Sequence, residues 1–209
     1  MREAKASVRV PIKAPGEEHT RARILAIAAE QFAREGYAAT SVRDIARSAG
    51  VTVGAIYVHF PSKGRLLVAV YEEGTRRIGR AVDAAVAGAA GPWARLRAAA
   101  AAHLETLLAD GGSVRGIVRV LPEDVPEVAG DLRRLREAYE MRFRHLIEAL
   151  DLAPGVDRTL LRLMLLGALN ATQMWFKPAG RADAAAIARQ FVATLETGAR
   201  TPGKGHGLG

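Results

Sequence analysis

The sequence predicts an all-helical fold. Apolar residues recur at the three- and four-residue spacing of helix faces, and runs of strand-forming residues are almost absent. Glycine and proline divide the chain at intervals that suit helices of ordinary length. We therefore expect about nine helices, arranged as a three-helix N-terminal domain with a helix-turn-helix and a larger helical C-terminal domain.

The first two helices have clear start and stop signals. A first helix is predicted from about Thr20 to Glu35. Ser41 opens a second helix, and Asp44, three residues later, completes a capping-box pattern. Gly50 ends this helix because glycine readily adopts the backbone conformation that a tight turn requires.

A third helix follows almost at once, capped by Thr52 and running to about Phe60, before Pro61. Two short helices joined by a four-residue turn that contains glycine form the helix-turn-helix pattern. Small residues at the start of the third helix permit close approach to base edges in a DNA groove. The residues predicted to contact bases or phosphates are Ser41, Arg43, Thr52, Val53, Gly54, Ala55, Tyr57, His59 and Lys63.

The remaining helices are predicted from the same signals. Ser62 caps a fourth helix that continues to about Ala89 and connects the N-terminal unit to the rest of the chain. Further helices are predicted at 92–109, 113–121, 124–151, 156–177 and 182–198.

Charge and composition favour a DNA-binding protein. The formal net charge is +8, and residues 1–65 hold 11 Lys and Arg against 6 Asp and Glu, so the excess is concentrated where the helix-turn-helix lies. The chain has no cysteine, which excludes disulfides and cysteine-ligated zinc. No apolar run reaches the roughly 18 residues of a membrane span, and no signal peptide is evident, so we expect a cytoplasmic protein that does not enter the membrane.

Residues 20–67 resemble the DNA-binding region of the TetR family of bacterial repressors. The most specific part is GVTVGAIYVHFPSKGRLL, from Gly50 to Leu67. The resemblance implies an N-terminal DNA-binding domain joined to a C-terminal domain for ligand binding and dimerisation. One departure is Gly64-Arg65, where the family usually has an acidic residue after the lysine. We expect the missing acid to weaken the cap of the fourth helix, and Arg65 to add a phosphate contact.

The domain limits follow from this resemblance and from composition. Residues 1–18 are predicted to be a flexible basic arm, and residues 19–66 the DNA-binding domain. Residues 67–200 are predicted to form the ligand-binding and dimerisation domain. Residues 201–209 alternate glycine with polar residues and are predicted to be a disordered tail.

The helix from Arg158 to Phe176 is apolar nearly all round and must be buried on more than one side. The simplest second side is a partner subunit, so this helix and the last one are predicted to build a homodimer interface. The alternative is a purely intramolecular core. The predicted interface residues are Leu161, Leu165, Leu169, Ala188, Phe191 and Leu195.

The effector is predicted to enter a cavity in the C-terminal domain. The predicted lining is Leu104, Leu108, Val118, Leu121, Tyr139, Phe143, Leu166, Asn170, Met174 and Trp175. Plain core packing remains an alternative for the aromatic residues, and a hydrogen bond across the interface remains one for Asn170.

Residues 167–198 and 132–147 resemble TetR-family branches that control fatty-acid, steroid or aromatic-acid breakdown. Those branches commonly respond to acyl-coenzyme A thioesters, so the resemblance implies an acyl-CoA effector. An apolar tunnel would take the acyl part, and arginines would meet the phosphates. The candidate arginines are Arg133, Arg136, Arg142 and Arg144.

Two other classes of function were considered. An enzyme is disfavoured because the five histidines lack metal-ligand spacing and neither HExxH nor GxSxG occurs. We therefore expect no catalytic residues, no metal site and no cofactor. A transcriptional activator, or a regulator that responds to a drug or other non-CoA metabolite, is compatible with the same domains. The sequence favours a repressor that a small molecule releases from its DNA operator.

Overall fold

The computed structural model describes residues 15–109, 120 and 122–199, and these contain helices and no strand. The predicted helix at 113–121, most of the basic arm and the tail at 201–209 lie outside the described residues, apart from position 120. The described helices are α1 (Pro15–Glu35), α2 (Val42–Ala49), α3 (Val53–His59), α4 (Lys63–Ala87), α5 (Pro92–Leu108), α6 (Ala129–Glu148), α7 (Arg158–Trp175) and α8 (Ala184–Ala199). The all-helical prediction is confirmed.

The first helix begins earlier than predicted. It starts at Pro15, so residues 15–18 belong to a helix and not to a flexible arm. Proline is well suited to the first helical position because the amide there has no acceptor within the helix. Glu17 and Glu18 lie in the first turn, where carboxylates interact favourably with the helix dipole.

The helix predicted at 124–151 is shorter in the structure. Two 3₁₀ turns, Pro122–Asp124 and Pro126–Val128, precede α6, which begins at Ala129. Each proline lacks a backbone N–H, and Pro126 disfavours a helical conformation at Val125. The chain therefore bends here before α6 starts, and this bend contacts the DNA-binding domain.

The apolar side chains form two cores that α4 joins. Leu66, Leu67 and Val70 at its start pack into the N-terminal core with α1, α2 and α3. Ile78 and Val82, further along the same helix, pack into the core of the C-terminal domain. The N-terminal core also includes Val120, Val125, Val128 and Leu132 from the second half of the chain. The two domains are therefore in direct contact. No helix within the described ranges is long and apolar enough to cross a membrane.

Candidate DNA-binding surface and effector pocket

The two helices of the helix-turn-helix begin at the predicted capping residues. The Ser41 hydroxyl accepts a hydrogen bond from the Asp44 backbone N–H at 3.1 Å, which caps α2. Gly50 has φ 61° and ψ 38°, a left-handed conformation that favours glycine. The Thr52 hydroxyl accepts from the Ala55 N–H at 3.1 Å and so caps α3. These contacts set the angle between the two helices.

Helix α3 buries one side and exposes the other. Ile56 and Phe60 lie in the N-terminal core, whereas Tyr57 is 47% exposed. Val58 is 82% exposed, although the sequence analysis did not include it among the DNA-contacting residues. Its position could have been found from periodicity, since a residue two places after Ile56 lies on nearly the opposite side of a helix. The outer face of α3 therefore carries the aromatic Tyr57 and the apolar Val58 in addition to small residues.

Gly54 lies exposed on this face near the start of α3. A Cβ atom added there would meet nothing closer than the Thr52 hydroxyl oxygen, at 3.8 Å. Packing within the protein thus leaves room for a side chain. A surface without one is what close approach to base edges requires.

Lys63 lies at the start of α4 and already has partners in the protein. Its ammonium group is 4.2 Å from the centre of the Tyr37 ring and donates to the Ala38 carbonyl at 3.4 Å. The Tyr37 hydroxyl donates to the Glu127 carboxylate at 3.2 Å. Burial lowers the pKa of Lys63, and the charge of Glu127 partly opposes this. Burial, followed by the charge of Glu127 and the hydrogen bond to it, raises the pKa of Tyr37 to about 12.

Arg65 does not take the predicted role of a phosphate contact. Its guanidinium pairs with the Asp131 carboxylate of α6 at 2.7 Å, which directs it to the C-terminal domain. The start of α4 is still capped, because the Ser62 hydroxyl accepts from the Arg65 N–H at 3.1 Å. Arg65 therefore joins the two domains.

Replacing Tyr57 or Lys63 with alanine is expected to weaken binding to all DNA sequences by about five- to thirty-fold, because each would contact the DNA backbone. Lys63→Ala should also reduce the salt slope by about one, whereas Tyr57→Ala should leave it unchanged. Fluorescence anisotropy on operator and random DNA at several salt concentrations measures both effects. Normal binding by both variants would rule out this docking face.

A cavity of about 50 Å³ lies in the C-terminal domain between α4, α5, α6 and α7. Its lining includes three of the predicted ligand residues, Tyr139, Leu166 and Asn170. The other lining residues are Tyr71, Thr75, Ile78, His103, Arg136 and Glu140. A larger groove of about 780 Å³ lies between α1 and α4. The smaller cavity is the better candidate for an apolar effector because buried residues of the C-terminal domain contribute much of its lining.

His103 is the functional candidate that the sequence analysis missed. It is fully buried, with Nδ1 2.6 Å from the Tyr139 hydroxyl oxygen and Nε2 3.2 Å from Asn170 Oδ1. Burial lowers its pKa to about 4, so the imidazole is neutral at pH 7. The sequence contains no signal for this contact, because the three residues lie on three different helices.

The other predicted ligand residues divide into three groups. Phe143 packs against the rings of His103 and Tyr139, with centroids 6.0 Å apart in both pairs, and Leu104 and Leu108 are buried in the same core. Met174 and Trp175 do not line this cavity and are 77% and 52% exposed at the end of α7. Met174 lies one turn beyond Asn170 on nearly the same side of the helix, whereas Trp175 is turned away from that side. Val118 and Leu121 lie outside the described residues.

The predicted dimer residues lie mostly in the subunit's own core. Leu161, Leu165, Leu169 and Ala188 are buried there, so their part in a dimer interface stays a prediction. Phe191 and Leu195 are partly buried against that core. The exposed apolar residues of α7 lie on its opposite face, because apolar residues occur on both sides of this helix. They are Leu160, Leu163, Met164, Gly167, Ala171, Met174 and Trp175, and we call this set the outer face of α7.

Comparison with known proteins identifies the family. The model for bacterial regulatory proteins of the tetR family matches residues 24–70. The model for the tetracyclin repressor-like C-terminal domain matches residues 89–199, which is more than half of the chain. The chain belongs to the TetR family. TetR regulators bind operator DNA and small-molecule effectors and act as dimers, so this protein is a DNA-binding transcriptional regulator and not an enzyme.

Individual relatives agree with this assignment. The chain is 27% identical over 182 residues to the transcriptional repressor KstR2 of Mycolicibacterium smegmatis, covering 82% of this chain and 86% of that one. It is 42% identical to the regulator AcrR of Shigella flexneri over 62 residues, which span 30% of this chain and only 29% of AcrR. This TetR regulator is thus similar to KstR2 over most of its length and to AcrR over less than a third of it.

Solved structures show the same fold in other TetR proteins. A tetR-family regulator from Rhodococcus RHA1 superposes with a TM-score of 0.76 at 28% identity, covering 88% of this chain and 98% of that one. AibR, solved with isovaleryl coenzyme A and operator DNA, superposes with a TM-score of 0.72 at 25% identity, covering 84% and 97%. The likeness extends over both domains of this TetR regulator.

Proposed function

We propose that this TetR-type repressor is released from its operator by an acyl-coenzyme A thioester. The observation that carries the proposal is a basic groove that adjoins the cavity between α4, α5, α6 and α7. The groove has a volume of about 760 Å³ and shares Arg136 and Glu140 with the cavity lining. The cavity would take one functional group from the acyl end of such a ligand, and the groove would take the phosphate-bearing end.

Two arginines of the groove are available for phosphates. Arg136 and Arg144 form no ion pair or hydrogen bond with any residue that the structure describes. Arg134 pairs with Asp131, and Arg162 pairs with Glu140. Free guanidinium groups bind phosphate oxygens through charge-assisted hydrogen bonds.

Two other arginines that the sequence suggested are occupied. Arg142 forms a bidentate pair with Asp83 of α4, at 2.9 and 3.0 Å. A Cβ at Gly79 would lie 3.0 Å from its guanidinium carbon, so glycine permits this close approach. Arg133 lies 3.7 Å from a carboxylate oxygen of Glu123. Arg142 therefore clamps α6 to α4, and we propose Arg136 and Arg144 as the phosphate contacts.

AibR supports this class of effector, since it was solved bound to isovaleryl coenzyme A and is similar to this chain over most of its length. The DNA-contacting residues proposed from the sequence remain a proposal, to which exposure adds Val58. The limits at residues 66 and 200 also remain proposals. For the dimer, we propose that the outer face of α7 meets its two-fold copy, because most of the exposed large apolar side chains among the described residues lie there.

Release requires a connection between the cavity and the DNA-binding domain. Both α4 and α6 line the cavity, through Thr75 and Tyr139 respectively. The start of α6 pairs with α4 through Asp131 and Arg65, and the turn before it contacts Tyr37 through Glu127. We propose that an effector which prefers a different spacing of α4 and α6 moves the two recognition helices away from the ~34–36 Å separation that successive major grooves require.

Gly64 provides a test of this connection. A Cβ there would lie 3.1 Å from Val128 Cγ1 and 3.3 Å from a Glu127 carboxylate oxygen. Gly64→Ala should therefore crowd the junction, even though alanine is the better helix former by about 1 kcal/mol. We expect operator affinity to fall several-fold and acyl-CoA affinity to rise, because the variant favours the released state.

Gly88→Ala is the matched control, since Gly88 has an ordinary φ of −86° and a Cβ there would meet nothing closer than 3.9 Å. It should leave both affinities unchanged. Anisotropy with labelled operator and calorimetry with the thioester give the two values. If Gly64→Ala lowered both affinities together, the cause would be a folding defect and not a shift between states.

The effector class is tested directly by following anisotropy of the protein on DNA from upstream of its own gene, at fixed salt. A panel of acyl-CoAs is added, with the corresponding free acids as controls. We expect a subset of the thioesters to release the DNA and the free acids to be inert. Retention of DNA in the presence of every thioester would exclude an acyl-CoA effector.

A further inference from the structure

The floor of the cavity carries three polar side chains that an apolar pocket does not need. His103, Tyr139 and Asn170 come from α5, α6 and α7 and are joined by hydrogen bonds of 2.6 and 3.2 Å. Their surroundings are apolar, with Phe143 against two of the rings and Ile78 and Leu166 in the lining. Burying polar groups in such a place costs free energy unless each finds a partner.

We propose that His103, Tyr139 and Asn170 form a subsite that binds a neutral carbonyl or hydroxyl oxygen of the effector's acyl group. The proposal deepens the proposed function and rests on this cavity being the effector site. It adds a hydrogen-bonding contact to an oxygen of the acyl group that an apolar tunnel alone does not supply.

The hydrogen bonds leave unused hydrogen-bonding groups on two residues that line the cavity. Asn170 Oδ1 can only accept, so His103 Nε2 carries the proton and donates to it. His103 Nδ1 is then an acceptor, and the Tyr139 hydroxyl donates to it. The Asn170 amide NH₂ group has no partner among the described residues, and the Tyr139 oxygen keeps free lone pairs. The subsite thus offers a donor for a carbonyl and an acceptor for a hydroxyl.

Size and charge restrict what can bind there. The cavity of about 50 Å³ admits a single functional group and not a ring, since benzene occupies an engineered cavity of ~150 Å³. Both titratable members are neutral at pH 7, because burial lowers the pKa of His103 and raises that of Tyr139. Glu140 at the cavity is paired with Arg162, and Arg136 is the cation proposed for the phosphates. None of the three subsite residues carries a charge that would pair with a carboxylate.

A first experiment uses probes that contain no coenzyme A. The full-length protein with ¹⁵N-labelled histidine is titrated with 2-pentanone and with butyrate, which have nearly the same shape but differ in charge. We expect 2-pentanone to shift the His103 ring signals and butyrate to leave them unchanged. Equal responses to both probes, or none to 2-pentanone, would overturn the subsite.

A second experiment uses coenzyme A compounds and a variant. Hexanoyl-CoA, its thioether S-hexyl-CoA and 5-oxohexanoyl-CoA are titrated by calorimetry into the wild type and into Asn170→Asp, which keeps the acceptor for His103 and removes the amide donor. If the subsite binds the thioester carbonyl, hexanoyl-CoA should bind about tenfold tighter than the thioether. If it binds an oxygen on the chain, 5-oxohexanoyl-CoA should bind tighter than hexanoyl-CoA by a similar factor.

Asn170→Asp should reduce whichever preference the wild type shows, because the Asn170 amide is the donor for a carbonyl oxygen. A merely structural role would weaken all three compounds equally and would overturn the proposal, as would equal binding of all three by the wild type. If 2-pentanone shifts the His103 signals and no thioester binds, the subsite stands and the acyl-CoA effector does not. If thioesters release DNA while 2-pentanone and the variant have no effect, the effector stands and the subsite does not.

Discussion

Replacing Met164 with glutamate is expected to convert the dimer into monomers and to reduce operator affinity at least a hundredfold. Met164 is 56% exposed at the middle of the outer face of α7, beside Leu160, Leu163 and the small residues Gly167 and Ala171. A two-fold interface repeats every substitution, so two carboxylates would be buried without partners. A monomer can occupy only one half-site of an operator that two recognition helices normally share.

Val58→Glu is the control for this prediction. Val58 is also a large apolar side chain exposed to solvent, at 82%, but it lies on α3 in the DNA-binding domain. The same new carboxylate there should leave the sedimentation coefficient at micromolar concentration unchanged. Sedimentation velocity measures the oligomeric state of both variants. If Met164→Glu remained a dimer with normal operator affinity, the interface would lie elsewhere.

The second large effect is a loss of stability in mild acid caused by His103. Burial lowers its folded-state pKa from about 6.5 to about 4, so the unfolded chain binds more protons between these values. The unfolding free energy is unaffected by this group above pH 6.5 and decreases as the pH falls toward 4, where the loss reaches about 3 kcal/mol per subunit. The free energy of unfolding should therefore decline steeply over this range.

Urea unfolding at fixed protein concentration between pH 4 and pH 7.5 measures this decline. His103→Gln removes the titrating group and should reduce the decline in the free energy of unfolding by about 3 kcal/mol. His145→Gln is the matched control, because His145 is exposed on α6 and its replacement should keep the wild-type pH dependence. If the free energy of unfolding of His103→Gln declined with pH as steeply as that of the wild type, other groups would cause the acid sensitivity.

Local signals predicted the DNA-binding half of the protein well. Ser41, Gly50 and Thr52 act within three or four residues of their own positions, so their spacing in the sequence is sufficient to predict a helix-turn-helix. The two misplaced helix boundaries also have local causes, the prolines at positions 15 and 126. Both prolines are helix-boundary signals in the sequence, but the predicted boundaries did not take them into account.

The C-terminal domain was harder to interpret because α7 is apolar on both sides. Periodicity indicates that such a helix is buried on two opposite faces. It does not show which face meets the subunit core and which meets a partner. Leu165 and Met164 are neighbours in the sequence, yet one is 1% exposed and the other 56%. Only the packing of α7 against α5 and α6 distinguishes them.

The sequence by itself determined the helical fold, the helix-turn-helix and the family, since each depends on residues close together along the chain. The tertiary structure alone decided that Arg65 pairs with Asp131, that Arg142 clamps Asp83, and that His103 meets Tyr139 and Asn170. These partners are separated by 36 to 67 positions along the chain. Contacts at such separations depend on how whole helices pack, and no local spacing encodes them.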